Sequence, residues 1–184
     1  MRIGVFGGSF DPPHIGHYLA AVDAAERLGL DRVIWVPAAQ QPLKAATPHV
    51  ASAEQRFRMV EAAVSASDTF TASRIEIDRS GLSYTVATVQ SFAAQWPDAE
   101  LYLLVGEDAW SRFEEWHEPE TIRTLVHIEI LARTTESEHS GRVVEVSSTE
   151  IRARARSNRS VRGFVQDAVA EIIESERLYR WLQK

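Results

Sequence analysis

The sequence predicts an α/β fold built on a mostly parallel sheet. Short apolar runs typical of buried strands alternate with longer stretches whose apolar residues recur at helical spacing. This alternation indicates strands that are connected by helices rather than by hairpins. The 184 residues, 45% hydrophobic and 25% charged, suffice for one domain with a sizeable core. We therefore expect a single domain, with the sheet in residues 1–146 and a small helical part in residues 147–184.

The first half of the chain is predicted to contain three strands and two helices. The strands are apolar runs bounded by turn-forming or polar residues, and Pro37 closes the second of them. The helices repeat apolar residues three or four positions apart, as at Leu19 and Val22, and at Phe57 and Val60. The predicted elements are strand Arg2–Phe6, helix Ile15–Leu28, strand Arg32–Val36, helix Ala53–Ser65 and strand Ala72–Ile77.

The second half continues the same alternation and ends in two helices. Its most apolar strand, ELYLLV, is followed directly by Gly106. A short helix is expected soon after this glycine. The other predicted elements are a turn at Asp78–Gly81, helix Tyr84–Trp96, strand Glu100–Val105, the segment Pro119–Leu125, strand His127–Ala132, a short strand Arg142–Val146, and helices near Ser148–Ala155 and Phe164–Glu174.

Three informative segments follow directly after predicted strands. They are Gly7–His17, the loop after Val36, and Gly106–Asp108. In an open parallel sheet, ligands bind beyond the carboxyl ends of the strands, near the switch point in strand order. We therefore expect these segments to converge on one edge of the sheet.

Composition and charge exclude several classes of function. The chain has no cysteine, which excludes a disulfide framework and a thiolate zinc site, and its net charge of −6 argues against general binding to nucleic acid. The start MRIGVFGGSFDPP does not resemble a signal peptide, and no run reaches the about 18 apolar residues of a membrane span. We expect a cytoplasmic protein without nucleic-acid or membrane partners. A homo-oligomer is compatible with the sequence.

The segment Gly7–His17 (GGSFDPPHIGH) combines features of a phosphate site. Two adjacent glycines permit close approach to the main chain, and two adjacent prolines delay the following helix until about His14. His14 and His17 then lie beside the first free N–H groups and the positive end of the helix dipole, where a phosphate binds well. A purely structural turn and a metal site are the alternatives, although no third metal ligand is nearby in the sequence.

This segment resembles the signature of the HxGH nucleotidyltransferases, specifically that of the bacterial nicotinate-nucleotide adenylyltransferases. The resemblance implies a Rossmann-like domain with helices on both faces of the sheet. It also implies transfer of AMP from ATP to nicotinate mononucleotide in NAD biosynthesis, with Mg²⁺ accompanying ATP. His14 and His17 would be catalytic. The residues implied to bind ATP here are Gly7, Gly8, Ser9, Phe10, His14, Gly16 and His17.

A second motif, VSSTEIRARAR, lies near the C terminus. Ser147 followed by Glu150 is a capping box, which is the structural interpretation. The same stretch offers hydroxyl groups at Ser147, Ser148 and Thr149, helix N–H groups and the Arg152 guanidinium, which together suit phosphate. It is similar to the SSTxIR motif of the same family, which implies that these four residues bind ATP and that Arg152 is catalytic.

Further residues resemble the part of the family site that binds the nicotinate ring. Ser83-Tyr84-Thr85 is similar to the family's SYT segment, so Tyr84 and Thr85 are expected to bind the acceptor. Ser83 could instead act as a helix N-cap. Trp116, within a WH pair, would stack on the pyridine ring. Ala87 departs from the acidic residue common in the family.

The remaining residues implied to contact substrate lie at strand ends and in one loop. Gly106 and Asp108 match a GxD segment that contacts ATP and the acceptor's ribose, and Arg133 lies where the family approaches adenine. Ser9 and Lys44 are expected to contact the acceptor. Around Lys44, glutamine and leucine replace the first proline and the histidine of the family's PPHK-like loop.

Several alternatives remain open. A related adenylyltransferase could use nicotinamide mononucleotide or phosphopantetheine, although the phosphopantetheine enzymes usually carry threonine in place of His14. A class I aminoacyl-tRNA synthetase fragment shares the HIGH string, but this chain shows no KMSKS-like loop. A catalytically inactive nucleotide sensor would be expected to have lost the histidines or Arg152, and all are present.

Overall fold

The computed structural model describes residues 1–42, 49–79, 81–132, 139 and 141–180. Its centre is a five-stranded sheet in the order β3-β2-β1-β4-β5, and every neighbouring pair is parallel. The switch in strand order therefore lies between β1 and β4, as in doubly wound sheets. The strands are β1 (Arg2–Gly8), β2 (Arg32–Pro37), β3 (Phe70–Ala72), β4 (Glu100–Gly106) and β5 (His127–Leu131). The predicted α/β fold is confirmed.

The helices connect these strands and follow the last of them. A short 3-10 helix, Phe113–Glu115, lies between α5 and α6. In the described ranges, no helix combines the length and the apolarity needed to cross a membrane. The α-helices are α1 (Ile15–Leu28), α2 (Ala53–Val64), α3 (Ile75–Arg79), α4 (Thr85–Gln95), α5 (Glu107–Trp110), α6 (Pro119–Leu125), α7 (Ser148–Arg156) and α8 (Asp167–Ser175).

Helices cover both faces of the sheet because successive side chains of a strand point to opposite faces. On one face, fully buried Trp35 of β2 belongs to a cluster with Ala24 of α1 and Val60 of α2. On the other face, Val5 of β1 belongs to a cluster with Val89 of α4. The sheet is therefore buried on both sides, which explains why its strands are continuous apolar runs.

The C-terminal helices pack on the outside of α2. Met59 of α2 shares a buried cluster with Ile151 of α7 and with Val169 and Ile173 of α8. This packing brings the start of α7 to the carboxyl end of the sheet, although the two are far apart in sequence.

Two strand predictions were wrong. Residues 72–77 were expected to form a strand, but β3 ends at Ala72 and α3 begins at Ile75. Ile75 donates its N–H to Ser73 Oγ, and Asp78 N–H reaches Arg74 O in a helical turn. The alternating Ile-Glu-Ile therefore belongs to a short helix, and the predicted turn from Asp78 begins inside it.

The predicted strand Arg142–Val146 is also absent from the described part of the chain, whose sheet ends with β5. Val146 N–H donates to Val144 O at 2.8 Å, which folds the backbone into a tight turn. Val146 is then buried in the cluster of C-terminal helices instead of pairing with a strand. Val146 thus anchors the start of α7 through its buried side chain, although the residues around it alternate as in a strand.

Candidate active site

A large cleft opens at the carboxyl ends of β1, β2 and β4, where the informative segments were expected to converge. Its volume is about 1370 Å³, enough for two nucleotide-sized ligands. The candidate residues Lys44 and Arg133 lie outside the described residues. The candidate residues that line the cleft are Gly7, Gly8, Ser9, Phe10, His14, Gly16, His17, Tyr84, Thr85, Gly106, Asp108, Trp116, Ser147, Ser148, Thr149 and Arg152.

His14 and His17 form a reciprocal cap at the start of α1. His14 is the N-cap residue, and its Nδ1 accepts the His17 N–H at 3.2 Å. His17 Nδ1 accepts the His14 N–H, also at 3.2 Å, and the two rings stack with centroids 3.6 Å apart. Since both Nδ1 atoms accept hydrogen bonds, the proton of each neutral imidazole lies on Nε2. The pair is therefore prepared to donate two N–H groups to an anion.

Glycines keep this part of the cleft open. A Cβ added to Gly7 or Gly106 would meet no atom within 4 Å, so each would project into open space at the end of its strand. A ligand can approach the main chain there. At Gly16 the reason is different, because a Cβ would lie 3.1 Å from His14 Nδ1 and from Val146 Cγ1. Gly16 thus permits close packing of the His14 ring.

Phe10 packs against the His17 ring. Its backbone has φ 46°, a left-handed conformation that is unfavourable for a large side chain. The ring is 2% exposed and meets the His17 ring edge-on, with centroids 5.2 Å apart. Gly8 leaves room for it, since a Cβ there would approach Phe10 Cζ to 2.9 Å. Phe10 therefore borders the cleft as a buried platform for His17.

The hydroxyl groups at the start of α7 are engaged within the protein. Ser147 Oγ accepts the Glu150 N–H at 3.1 Å, which confirms the predicted cap. Ser148 Oγ donates to Pro12 O at 2.8 Å, and Thr149 Oγ1 accepts from Arg152 Nη2 at 3.1 Å. The groups best suited to an anion here are therefore the first-turn N–H groups of α7 and the Arg152 guanidinium.

Arg152 joins the two sequence motifs directly. Its Nη1 donates to Asp11 O at 2.8 Å, a contact between residues 141 positions apart. With Thr149 holding Nη2, the guanidinium is fixed beside the loop that carries His14 and His17. Imidazoles from the first motif and a cation from the second therefore line one cleft, as the sequence motifs predicted.

Asp11 organises the loop of the first motif, although the sequence pattern predicts no role for it. The residue is 4% exposed, and its carboxylate accepts the Val50 N–H at 2.7 Å, the Ala51 N–H at 3.1 Å and the Tyr179 hydroxyl at 2.8 Å. Burial, followed by the Asp11 charge, raises the pKa of Tyr179 above its ordinary value. Asp11 thus ties the first motif to the segment just before α2 and to the chain's C-terminal region, and its place within the motif was the only sequence signal.

Arg56 links two backbone segments by hydrogen bonds to their carbonyl groups. This residue is 1% exposed and donates to Ser9 O at 2.9 Å and to Ala39 O at 3.2 Å. Burial lowers the pKa of Arg56, and the nearby Asp11 charge opposes that shift. The loop after β1 and the loop after β2 are therefore held together by one buried cation.

The aromatic end of the cleft lies at the start of α4. Tyr84, not Ser83, occupies the N-cap position, and the Ser83 hydroxyl instead accepts the Ala39 N–H at 2.8 Å. The Tyr84 ring lies 4.7 Å from the His117 ring, and Trp116 packs on Phe113 at 5.1 Å. This end combines flat rings with first-turn N–H groups, which suits an aromatic ring bearing an anionic group.

Comparisons with known proteins agree with the motifs. Residues 5–154 match the model of the cytidylyltransferase-like family. A probable nicotinate-nucleotide adenylyltransferase of Gemmatimonas aurantiaca is 44% identical over 98% of this chain and 93% of its own length. One from Thermus thermophilus is 43% identical over 98% of this chain and 100% of its own. Nicotinic acid mononucleotide adenylyltransferase of Plasmodium falciparum, solved with NaAD, shares the fold, with a TM-score of 0.77 at 16% identity over 97% of each chain.

Proposed function

Because this chain belongs to the nicotinate-nucleotide adenylyltransferases within the cytidylyltransferase-like family, we propose that it transfers AMP from ATP to nicotinate mononucleotide. The products are deamido-NAD and pyrophosphate, and the reaction is a step of NAD biosynthesis in the cytoplasm. The observation that carries the assignment is the contact of Arg152 with Asp11, because it brings both phosphate motifs to one cleft.

The reaction is an in-line displacement at the α-phosphorus of ATP. An oxygen of the acceptor phosphate forms the new bond, and the bond to the bridging oxygen of the β-phosphate breaks. The attacking oxygen is already anionic, so no general base is needed. Catalysis then comes from positioning and from stabilising charge on the phosphates.

The starts of α1 and α7 contact different phosphate groups of ATP in this proposal. His14 and His17 donate their Nε2–H groups to oxygens of the α-phosphate, where negative charge is redistributed during the displacement. Arg152 and the first-turn N–H groups of α7 bind the pyrophosphate that leaves. Gly7 and Gly106 leave space for the nucleotide along the strand ends.

Mg²⁺ fits this site as part of its ATP complex. Among the residues that the structure describes, no group of three or more histidine, aspartate or glutamate side chains is arranged to hold a metal ion. The ATP phosphates would supply most of its ligands, as Mg²⁺ prefers. The bound ion would reduce the repulsion between the acceptor phosphate and the triphosphate.

The acceptor occupies the aromatic end of the cleft. The nicotinate carboxylate binds N–H groups at the start of α4, near Tyr84 and Thr85, where the helix dipole favours an anion. Trp116 stacks on the pyridine ring, and Asp108 accepts from ribose hydroxyl groups. Ser9 lies between the two substrates at the end of β1.

The direct test is pyrophosphate release from ATP in the presence of each candidate acceptor. We expect turnover with nicotinate mononucleotide, weaker turnover with nicotinamide mononucleotide and none with phosphopantetheine. Preference for phosphopantetheine would reassign the enzyme to a related adenylyltransferase. Binding of ATP without release of pyrophosphate from any acceptor would identify a nucleotide sensor instead.

Trp116→Ala is expected to raise the KM for nicotinate mononucleotide about tenfold, because ring stacking contributes about 0.5–1.5 kcal/mol beyond the buried area. The KM for ATP should stay unchanged. Trp110→Ala is the matched control, since Trp110 also packs on Phe113, at 4.8 Å, and is not among the residues that line the cleft. An acceptor KM that moves equally in both variants would argue against a stacking role for Trp116.

A further inference from the structure

Glu76 places a buried carboxyl group on the acceptor side of the cleft. It lies on α3, in a segment whose alternating pattern is typical of a strand. The residue is 7% exposed, yet it borders the cleft together with Ser83, Tyr84 and Thr85. The reaction described above gives it no part in chemistry or in direct binding.

A hydroxyl group near the α4 N-terminus donates to this carboxyl group. Thr88 Oγ1 donates to Glu76 Oε1 at 2.7 Å, while it accepts a longer bond from Arg79 Nη1 at 3.4 Å. The Ser83 hydroxyl, which accepts the Ala39 N–H, is close enough to Glu76 to oppose the rise that burial causes in the pKa of its carboxyl group. The direct hydrogen bond from Thr88 therefore ties Glu76 to the N-terminal part of α4.

The same contacts continue to the loop after β2. Ser83 N–H donates to Gln40 O at 2.8 Å, beside the bond from Ala39 N–H to Ser83 Oγ. Gln41 Oε1 then accepts the Ser9 hydroxyl at 2.9 Å. Residues 39–41 therefore link Ser83, just before α4, to Ser9 at the phosphate end.

Burying a carboxyl group at this depth costs free energy, so its presence here needs a structural or functional reason. Burial raises the pKa of Glu76, opposed by the hydrogen bonds from Thr88 and Ser83 and by the charge of Arg79. An apolar side chain would fill the same space without that cost. A fully satisfied buried polar network, however, defines one arrangement of the groups it joins. The groups joined here are those that carry Tyr84 and Thr85.

We propose that Glu76 is a positioning residue: by accepting the hydrogen bond from Thr88, it fixes the start of α4 where that helix meets the substituted aromatic ring of the acceptor. The inference rests on the proposed function, because it concerns the ring end of the same cleft. Acceptor binding should depend on Glu76, whereas ATP binding, which uses α1 and α7, should not.

The experiment measures nicotinate mononucleotide affinity by calorimetry without ATP, together with the KM of each substrate. Glu76→Ala is expected to raise the acceptor Kd about tenfold, the effect of losing a buried hydrogen-bonded partner. The KM for ATP should stay within about twofold. Glu76→Gln keeps an oxygen that can accept from Thr88, so its acceptor Kd should stay within about threefold of the unmodified protein.

Two further variants separate positioning from general stability. Asp78→Ala, on the same helix, removes an exposed carboxylate paired with Arg74 at 3.2 Å and should change neither affinity. Thr88→Val removes the donor with little change of shape. It should weaken acceptor binding in the same direction as Glu76→Ala, and the two effects should not add. Thr88→Val and Glu76→Gln carry the test if Glu76→Ala does not fold.

The outcomes distinguish this inference from the proposed function. If the unmodified protein does not turn over nicotinate mononucleotide, the proposed function fails and this inference fails with it. If it does turn over and Glu76→Ala binds the acceptor normally, this inference alone is wrong. If Glu76→Ala weakened acceptor binding and ATP binding equally, positioning by Glu76 would also be wrong. The same holds if Glu76→Gln bound the acceptor as weakly as Glu76→Ala.

Discussion

His17→Ala is expected to lower kcat about 10²–10³-fold while the protein stays folded, the typical effect of removing one aligned donor from a charged transition state. The structure gives the reason. His17 Nδ1 accepts the His14 N–H, so Nε2–H is the group that we expect to donate to the α-phosphate. The measurement is the rate of pyrophosphate release at saturating substrates, together with the thermal unfolding midpoint.

A second substitution separates catalysis from capping, because His17 also satisfies a backbone N–H at the start of α1. In His17→Asn, the side-chain oxygen can still accept that N–H, but the Nε2 donor is gone. Its stability should therefore be nearly normal and its kcat as low as that of the alanine variant. His127→Ala, which removes an exposed imidazole packed on Tyr102 at 4.9 Å, should leave kcat unchanged. Normal turnover by His17→Asn would mean that the imidazole is structural.

Arg152→Ala is expected to lower kcat/KM for ATP about 10²-fold or more, because it removes a fixed cation from the leaving-group side. It also removes the bond to Asp11 O, the direct link between the two phosphate motifs. Arg152→Lys should recover only part of the loss, since one ammonium group cannot hold both Asp11 O and Thr149 Oγ1 as the guanidinium does. The KM for ATP and the acceptor Kd are the quantities to compare.

Arg154→Ala is the matched control for Arg152. Arg154 belongs to the same helix, but its guanidinium lies 4.1 Å from the Phe164 ring centroid and its Nε donates to Ser160 O at 2.8 Å. Its loss should lower stability and leave the KM for ATP unchanged. If both arginine variants weakened ATP binding equally, the effect would come from the net charge of α7, and the specific role of Arg152 would be wrong.

Much of the fold could be predicted from local patterns. The strands of a sheet buried on both faces are continuous apolar runs, so β1, β2, β4 and β5 were found within two residues of their ends. Helix α1 begins at Ile15 because two prolines precede it, and that start was predicted to the residue. The two failures had a common cause. Ile75–Ile77 and Val144–Val146 alternate like edge strands, but one apolar residue of each segment, Ile75 or Val146, packs in a cluster with helices instead of pairing in the sheet.

The motifs of the candidate site could be predicted from the sequence, but the hydrogen bonds that join them could not. Within each motif the important residues lie only a few positions apart. The local sequence therefore decides which groups the start of the following helix presents. Sequence could not show that Ser148 and Thr149 are engaged by Pro12 and Arg152, since those bonds depend on how α7 docks. Nor could it show Glu76 beneath the α4 N-terminus.

By itself, the sequence determined the parallel sheet and predicted the edge that carries the candidate site and its two phosphate-binding motifs, because periodicity, proline and glycine act over a few neighbouring residues. Only the tertiary structure decided that Arg152 donates to the Asp11 carbonyl, that the Tyr179 hydroxyl donates to the Asp11 carboxylate, and that Thr88 donates to Glu76. These contacts form when α7 and the C-terminal region pack on α2 and when α3 turns beneath α4. The arrangement of separate helices in space depends on the shape of the whole core, which no short stretch of the chain encodes.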